Sequence, residues 1–532
     1  MAVLPSRAAV ARRRAPPRLM LACCAIALLV LLPLVLTLVQ AAGYGSEAAI
    51  DLLLRPIVGA LLLNTLLIVA AATLAAAVIG TAAAWFVERT HLPGRRAWAL
   101  LAVVPLAIPP FITSYAWLSL APELPPFAGA LLVVATAYYP LIYLPVSAAL
   151  RGLDPALEET ARALGLGPRA IFFRVVLPQI KPGLLGGMLL VALNVMSEFG
   201  AFQLLRFHTF TTEIYAEYRA SFDSSGGALL ASLLMLLCLL CLMLETRVRG
   251  RARYDRIDRG VRRIPPRYAL GLGRWPVLAA FGLLLTATLL LPLGTIGYWL
   301  LQHSNAAVTP VEFSLPQLLD ATGASLGLGL GGAALATVLA LPLGYLLARY
   351  PGWPAMLLER IAYFGQGVPG IVIALAVIAF AVRWLQPLYQ SLTLLLLTYA
   401  ILFLPLALVG VRTALIQVEQ RLDETARSLG LSSLQSARRV LLPLAGPGVG
   451  AAAAMVFITI ATELTTTLLL APIGTQTLAT EVWADTSTLA FAAAAPYAAV
   501  LAAISIGATW LLMALFGKSA LLDPLRREHQ HG

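Results

Sequence analysis

The sequence predicts an all-α polytopic membrane protein of about 12 transmembrane helices, arranged as two parallel six-helix repeats. Three observations carry that prediction. The 532 residues are 60% hydrophobic and only 12% charged, with a mean hydropathy of +0.87, far from soluble globular usage. The apolar residues fall in runs of about 20, the length that crosses a hydrocarbon core as a helix. A polar signature also occurs twice: Glu159-Thr160-Ala161, Gly165 and Leu177-Pro178 return 265 residues later as Glu424-Thr425-Ala426, Gly430 and Leu442-Pro443.

In chain order, the apolar runs place spans at 19–40, 61–87, 97–121, 127–150, 183–204 and 227–246, then at 275–301, 323–348, 361–383, 391–411, 448–470 and 491–516. The first follows Arg12-Arg13-Arg14 as a signal peptide would, but its apolar run exceeds an ordinary signal core, so it is read as an uncleaved span. This gives a basic N-terminus (1–18), a first membrane repeat (19–246), an Arg-rich connector (247–274), a second repeat (275–516) and a tail (517–532). The repeat extends beyond the signature. At an offset of 260, Arg89 meets Arg349, Pro109 meets Pro369, Tyr139 meets Tyr399 and Leu144-Pro145 meets Leu404-Pro405; five inserted residues then raise the offset to 265. Six spans separate equivalent positions, an even number, so the halves are parallel and both signature loops face the same side.

Charge orients the chain. Under this map 33 of the 37 Lys and Arg lie on the side that holds both termini; the exceptions are Arg55, Arg206, Arg219 and Arg383. By the positive-inside rule that side is the cytoplasm. Ten Arg lie in the connector, where a linker beside anionic lipid accounts for them without nucleic acid. Cys23, Cys24, Cys238 and Cys241 all fall inside spans. The Cys238-x-x-Cys241 spacing is therefore packing rather than redox or metal chemistry.

The first signature loop reads as a short amphipathic helix over 153–166, with Leu153, Leu157, Ala161 and Leu164 at helical spacing. Asp154, Glu158 and Glu159 crowd its first turns, where the helix dipole favours negative charge. Gly165 and Gly167-Pro168 end it. A second segment, 169–177, runs to Leu177-Pro178, and Lys181-Pro182-Gly183 returns the chain to the membrane. Two unrelated solvent loops have no reason to share one pattern, so the pair reads as a docking surface for cytoplasmic partners.

The pattern Glu-x-Ala-x3-Gly-x9-Val-x-Leu-Pro resembles the EAA loop of bacterial ABC importer permeases. It is carried by Glu159, Ala161, Gly165, Val175, Leu177 and Pro178, and again by Glu424, Ala426, Gly430, Val440, Leu442 and Pro443, with Thr160 and Thr425 where the family has Ala. The resemblance implies a Type I importer fold, two cytoplasmic ABC ATPase subunits docked on the two loops, and an extracytoplasmic substrate-binding protein. With the neighbouring acids, the implied ATPase-coupling residues are Glu158, Glu159, Thr160, Ala161, Gly165, Leu177 and Pro178, and Asp423, Glu424, Thr425, Ala426, Gly430, Leu442 and Pro443. No cofactor is expected on this chain, because ATP and Mg belong to the partner subunits. In agreement, the sequence holds no phosphate loop: Gly517-Lys518-Ser519 has Leu512 where a Gly is needed. No zinc-type His spacing or nucleophile elbow suggests an enzyme either.

A major facilitator would also have two parallel halves, and residues 254–263 resemble its charged loop. They lie in the connector rather than after the second span, and that family lacks the paired loops. For the substrate, Glu198 and Glu463 are equivalent at offset 265, each about 24 Å along its span toward the outer face. They line a pathway, or else sit as helix-end carboxylates at the interface. Beyond them Thr209-Phe-Thr-Thr212-Glu213-Ile-Tyr215 matches Thr477-Leu-Ala-Thr480-Glu481-Val-Trp483, read as an outer gate, a dock for the binding protein, or an interfacial aromatic belt. Ser197 to Ala201 and Glu463-Leu464, with these Thr-x-x-Thr-Glu repeats, resemble fused permeases of ferric-iron importers. Carboxylate and phenol oxygens suit a hard trivalent cation. Thiamine, aminoethylphosphonate and polyamine permeases look similar enough to stay open. The expected pathway or gate residues are Glu198, Glu463, Glu213, Tyr215 and Glu481, with no resident metal site assigned.

Overall fold

The structure, a computed structural model, describes residues 15–221, 224–249, 267–302 and 314–517. Arg12 to Arg14, connector residues 250–266 and the tail beyond Gly517 lie outside the described residues. Among the described residues the fold is helical, and the one β-type pairing is an isolated bridge between Thr90 and Tyr268. Ten helices are long and apolar enough to cross a membrane, and 11 if one bent pair counts as a span.

Four of the twelve expected spans are not straight helices, and they form two pairs at equivalent positions of the two halves. Span 97–121 is Arg95–Ala107 followed by Pro110–Leu120, bent by 89°. The cause is Pro109-Pro110: a proline forces its predecessor out of helical geometry, and Ile108 and Pro109 are both extended (ψ 113 and 144). Span 361–383 likewise begins only after Pro369, as Gly370–Trp384. Its 15 residues reach about 22 Å, short of a hydrocarbon core. Spans 183–204 and 448–470 are also broken, at Glu198-Phe199 between Leu177–Ser197 and Gly200–Leu204, and at Thr462 to Leu464 between Leu442–Ala461 and Thr465–Leu470.

The segment 169–177 is not a separate helix. The chain is helical without interruption over Pro168–Ser197, through a widened i→i+5 turn at Phe172–Val176. The second half repeats this turn at Ala437–Leu441, 265 residues on. In both halves the turn immediately precedes the Leu-Pro pair. A proline inside a helix clashes with the carbonyl four residues back, and a widened turn makes room for it. In the first half the Gln179 side-chain amide also donates to the Val175 carbonyl (2.8 Å).

The chain forms two compact units that cross the sequence repeats. One comprises 1–39, 323–475 and 507–532; the other comprises 40–322 and 476–506. The first span of each repeat thus belongs with the helices of the opposite repeat. In the second of these units, Leu177–Ser197 packs on Pro140–Arg151 and Pro56–Arg89. A Cβ at Gly187 would meet the Ile142 Cα at 2.8 Å, so only glycine permits that approach. In the other unit Leu392–Gln417 packs on Leu442–Ala461, and there the glycine is on the opposite partner: a Cβ at Gly410 would lie 2.4 Å from that of Ala452, the equivalent of Gly187. Cys238 serves packing here: it is buried, with its Sγ 3.6 Å from Met196 Sδ.

Candidate functional site

The first signature loop is the helix Pro155–Ala163. Asp154 caps it, its carboxylate accepting from the Ala156 amide (3.0 Å), and Pro155 stands at the first helical position, where no N–H is needed. Its end closes by two crossed bonds, Leu166 N–H to the Ala161 carbonyl (3.0 Å) and Gly165 N–H to the Arg162 carbonyl (2.9 Å). Gly165 has φ +81°, the left-handed conformation such a closure demands. Glu159, Thr160, Gly165 and Pro178 are exposed, Leu177 is half-buried and Ala161 is buried.

Glu158 does not join the exposed acidic face. Its side chain is 1% exposed and paired with Arg89, also 1% exposed, whose Nη2 lies 2.6 Å from both carboxylate oxygens. The guanidinium lies beside the Trp85 and Tyr268 rings (5.5 and 5.9 Å to the centroids). Tyr268 donates its hydroxyl to Glu158 Oε2 (3.1 Å), accepts from Arg162 Nη2 (2.6 Å) and stacks on Trp85. Its backbone is tied on both sides of the helix end, through Tyr268 N–H to the Arg89 carbonyl (2.8 Å) and His91 N–H to the Tyr268 carbonyl (3.0 Å).

The second loop, Gln420–Ser428, closes by the same bonds, Leu431 to Ala426 (3.2 Å) and Gly430 to Arg427 (3.0 Å), with Gly430 at φ +93°. Glu424, Thr425, Gly430 and Pro443 are exposed, Leu442 is half-buried and Ala426 is buried, matching the first loop position for position. The bracing differs. Glu419 replaces Asp154 at the N-cap and makes no side-chain cap. Asp423 replaces Glu158; it is 4% exposed and accepts from the buried Ser436 hydroxyl (2.6 Å). Arg349, the equivalent of Arg89, donates to the Val418 carbonyl (3.0 Å). Tyr345, the equivalent of Trp85, meets Tyr350 from the end of its own helix (6.0 Å).

Glu198 and Glu463 each stand at the break that ends the helix rising from a signature loop. Glu198 Oε1 accepts from the Ala201 amide (3.0 Å), capping the short helix that follows, and Oε2 accepts from the Tyr138 hydroxyl (2.6 Å). Its carbonyl takes the Thr211 hydroxyl (2.6 Å). Glu463 Oε1 accepts from the Thr466 amide (3.0 Å), and its carbonyl takes the Thr467 hydroxyl (2.6 Å), itself 2.5 Å from the buried Tyr399 hydroxyl. Both carboxylates are half-buried. The duplicated acids therefore have a structural task, joining broken helices, alongside any role toward a solute.

The repeated Thr-x-x-Thr-Glu motif is a helix start. Thr477 and Thr480 cap Leu478–Ser487 reciprocally, each side chain accepting from the other's amide (3.3 and 2.8 Å). The Thr212 hydroxyl likewise accepts from the Thr209 amide (2.9 Å). Within one compact unit Tyr215 meets Trp483 edge-on (6.3 Å) and also Phe199 (4.7 Å). The two equivalent aromatics thus pack on each other, whereas a belt residue would face headgroups. Glu213 and Glu481 are half-buried on these helices. Burial pushes the Glu481 carboxyl up, and burial with Glu481 one turn away pushes Asp485 up to about 6. Among the described residues no three His, Cys, Asp or Glu could hold a metal ion together.

Sequence reasoning missed the bracing of the first loop. Arg89 and Arg349 had matched across the repeat at the ends of equivalent helices, which was a usable signal. Tyr268 had none, since it sits inside an Arg-rich connector.

Comparison with known proteins agrees with the duplication. The model of the binding-protein-dependent transport system inner membrane component matches twice, over 77–254 and 340–518. The Fe(3+)-transport system permease protein FbpB 2 of Haemophilus influenzae is 34% identical over 475 residues, covering 89% of this chain and 93% of that one. Shorter matches include the molybdenum transport system permease protein ModB of Escherichia coli (30% identical, 23% of this chain and 60% of that one). The sulfate transport system permease protein CysW of a Synechocystis strain is 32% identical over 23% of this chain and 50% of its own.

Proposed function

We infer the role of this chain from its family, for it belongs to the inner membrane components of binding-protein-dependent transport systems. It is a multi-pass ABC permease with both permease domains fused in one chain. In our reading, the helices Pro155–Ala163 and Gln420–Ser428 each seat one separate cytoplasmic ATPase subunit, both termini are cytoplasmic, and a binding protein delivers solute from the other side. ATP and Mg act on the partner subunits. The observation that carries this is the identical closure of the two loops, with Glu159 and Glu424 exposed next to buried Ala161 and Ala426. A small buried residue lets each loop helix lie flat on the protein while its acidic neighbour projects toward a partner.

The test is charge reversal. Glu159→Lys with Glu424→Lys leaves a folded, inserted protein that loses its ATPase subunits on co-purification, while each single variant loses fewer. Undiminished ATPase stoichiometry and transport in the double variant would overturn the docking.

The proposed solute is ferric iron. Support comes from the long match to an Fe(3+) permease, over 89% of the chain, against matches over 23% to 40% of the chain for molybdenum and sulfate permeases. The carboxylates and phenol of Glu198, Glu463, Glu213, Glu481 and Tyr215 add hard oxygen donors. Uptake of radiolabelled ferric iron that depends on this chain checks the assignment; uptake of molybdate or sulfate instead replaces it with an oxyanion.

A further inference from the structure

We propose that Tyr268 is a positioning residue that straps the first coupling loop to the connector between the repeats, making the two loops mechanically unequal. The inference rests on the coupling role given to the loops above, and concerns which chain segment controls one of them.

Position 85 and its equivalent 345 each present an aromatic ring at the cytoplasmic end of a long helix, and each ring has an aromatic partner. For Tyr345 the partner is Tyr350, five residues along the same chain. For Trp85 it is Tyr268, which comes from the far end of the connector, 183 positions later in the numbering. Tyr268 does more than fill space. Its backbone is bonded on both sides to the end of Pro56–Arg89, at Arg89 and His91. Its hydroxyl lies between Glu158 and Arg162, two residues of the loop helix itself. Its ring accepts the Arg162 guanidinium on its face (5.1 Å) and stands near that of Arg89 (5.9 Å). One residue therefore ties three things: the helix end at Arg89 and His91 through its backbone, the loop helix at Glu158 and Arg162 through its side chain, and the covalent lead into Arg274–Leu285 of the second repeat. Movement of that lead reaches the first loop directly, and the second loop has local partners in its place.

The test uses Tyr268→Ala and Tyr268→Phe in the full chain. In the purified permease, amide exchange at 156–166 rises about ten-fold in Tyr268→Ala and by a smaller factor in Tyr268→Phe, which keeps the ring but not the hydroxyl; exchange at 421–431 stays at the parent rate. In the complex with its co-expressed ATPase subunits, assembly is kept, while ATP hydrolysed per solute moved rises about three-fold in Tyr268→Ala and partly recovers in Tyr268→Phe. Unchanged exchange at 156–166, or an equal rise at 421–431, overturns the strap. Raised exchange with unaltered ATP use per solute overturns Tyr268 as a positioning residue for coupling. Because exchange is read without partners, failure of the docking reading itself shows separately, in the Glu159→Lys with Glu424→Lys variant.

Discussion

The two signature loops share their sequence pattern, their closing hydrogen bonds and the exposure of each matched residue, yet they are fastened by different means. The first is fixed by a side-chain N-cap at Asp154, a buried ion pair from Arg89 to Glu158, and a tyrosine from the connector. The second has no side-chain cap, and its buried Asp423 takes a neutral hydroxyl from Ser436. One methylene accounts for part of the change: aspartate is too short to follow glutamate's reach toward the arginine, which spends its Nη2 on a main-chain carbonyl. The exposed face is thus matched between the halves while its underside is not.

The largest expected effect tests that difference. Glu158→Gln leaves the Arg89 guanidinium buried with its charge uncompensated, and its Nε and Nη1 already lack hydrogen-bond partners. Breaking one side of a buried pair costs about 3–5 kcal/mol. Asp423→Asn keeps an acceptor for the Ser436 hydroxyl and should cost about 1 kcal/mol. Thermal unfolding in detergent, followed separately by exchange at each loop, measures both. Equal losses would erase the distinction between charged and neutral bracing.

This also marks what was legible in the sequence. The signature placed the first loop helix within two or three residues, because a polar start and a Gly end are local chemistry: Asp154 and Gly165 do what isolated peptides do. The repeat offset of 265 paired Glu198 with Glu463, which both stand at helix breaks, and the Thr-x-x-Thr-Glu motif, 268 residues apart, paired Tyr215 with Trp483. Straight spans at 97–121 and 361–383 failed because hydropathy sees apolar runs and not the backbone turn that Pro109 and Pro369 impose. The sequence groups Glu158 with Glu159 among the coupling acids, and the structure buries Glu158. Adjacent residues on a helix are about 100° apart, so only one of them could face a partner. Tyr268 was out of reach, since its partners lie at 85, 89, 158 and 162 and no local pattern joins them.

A second prediction concerns what the loops share. Gly165 and Gly430 both sit at positive φ, and a Cβ at either would meet nothing within 4 Å. The penalty of Gly165→Ala or Gly430→Ala is then backbone strain alone, about 1 kcal/mol in each loop. Local exchange at 164–166 and at 429–431 should rise by the same factor. Unequal factors would show that the different bracing reaches the closing turn, and that the two loops are distinct to their ends.

The smallest effect lies at the helix starts. Asp154 accepts from the Ala156 amide, so Asp154→Ala leaves one of the free N–H groups at that end without its partner, at a cost of about 1 kcal/mol. Glu419 occupies the same position without capping, so Glu419→Ala should change local stability by only a few tenths of a kcal/mol. Both residues are acidic and stand at the positive end of a helix dipole, and each alanine variant loses that modest attraction alike. The contrast between the variants therefore isolates the hydrogen bond from the charge. Exchange at the amides of 156–158 and 421–423, compared at low and high salt, reads it: the dipole part is screened and the cap is not. If Glu419→Ala frays its loop as much as Asp154→Ala does, the two starts are held by charge alone, and the asymmetry between the loops reduces to the buried pair and the tyrosine.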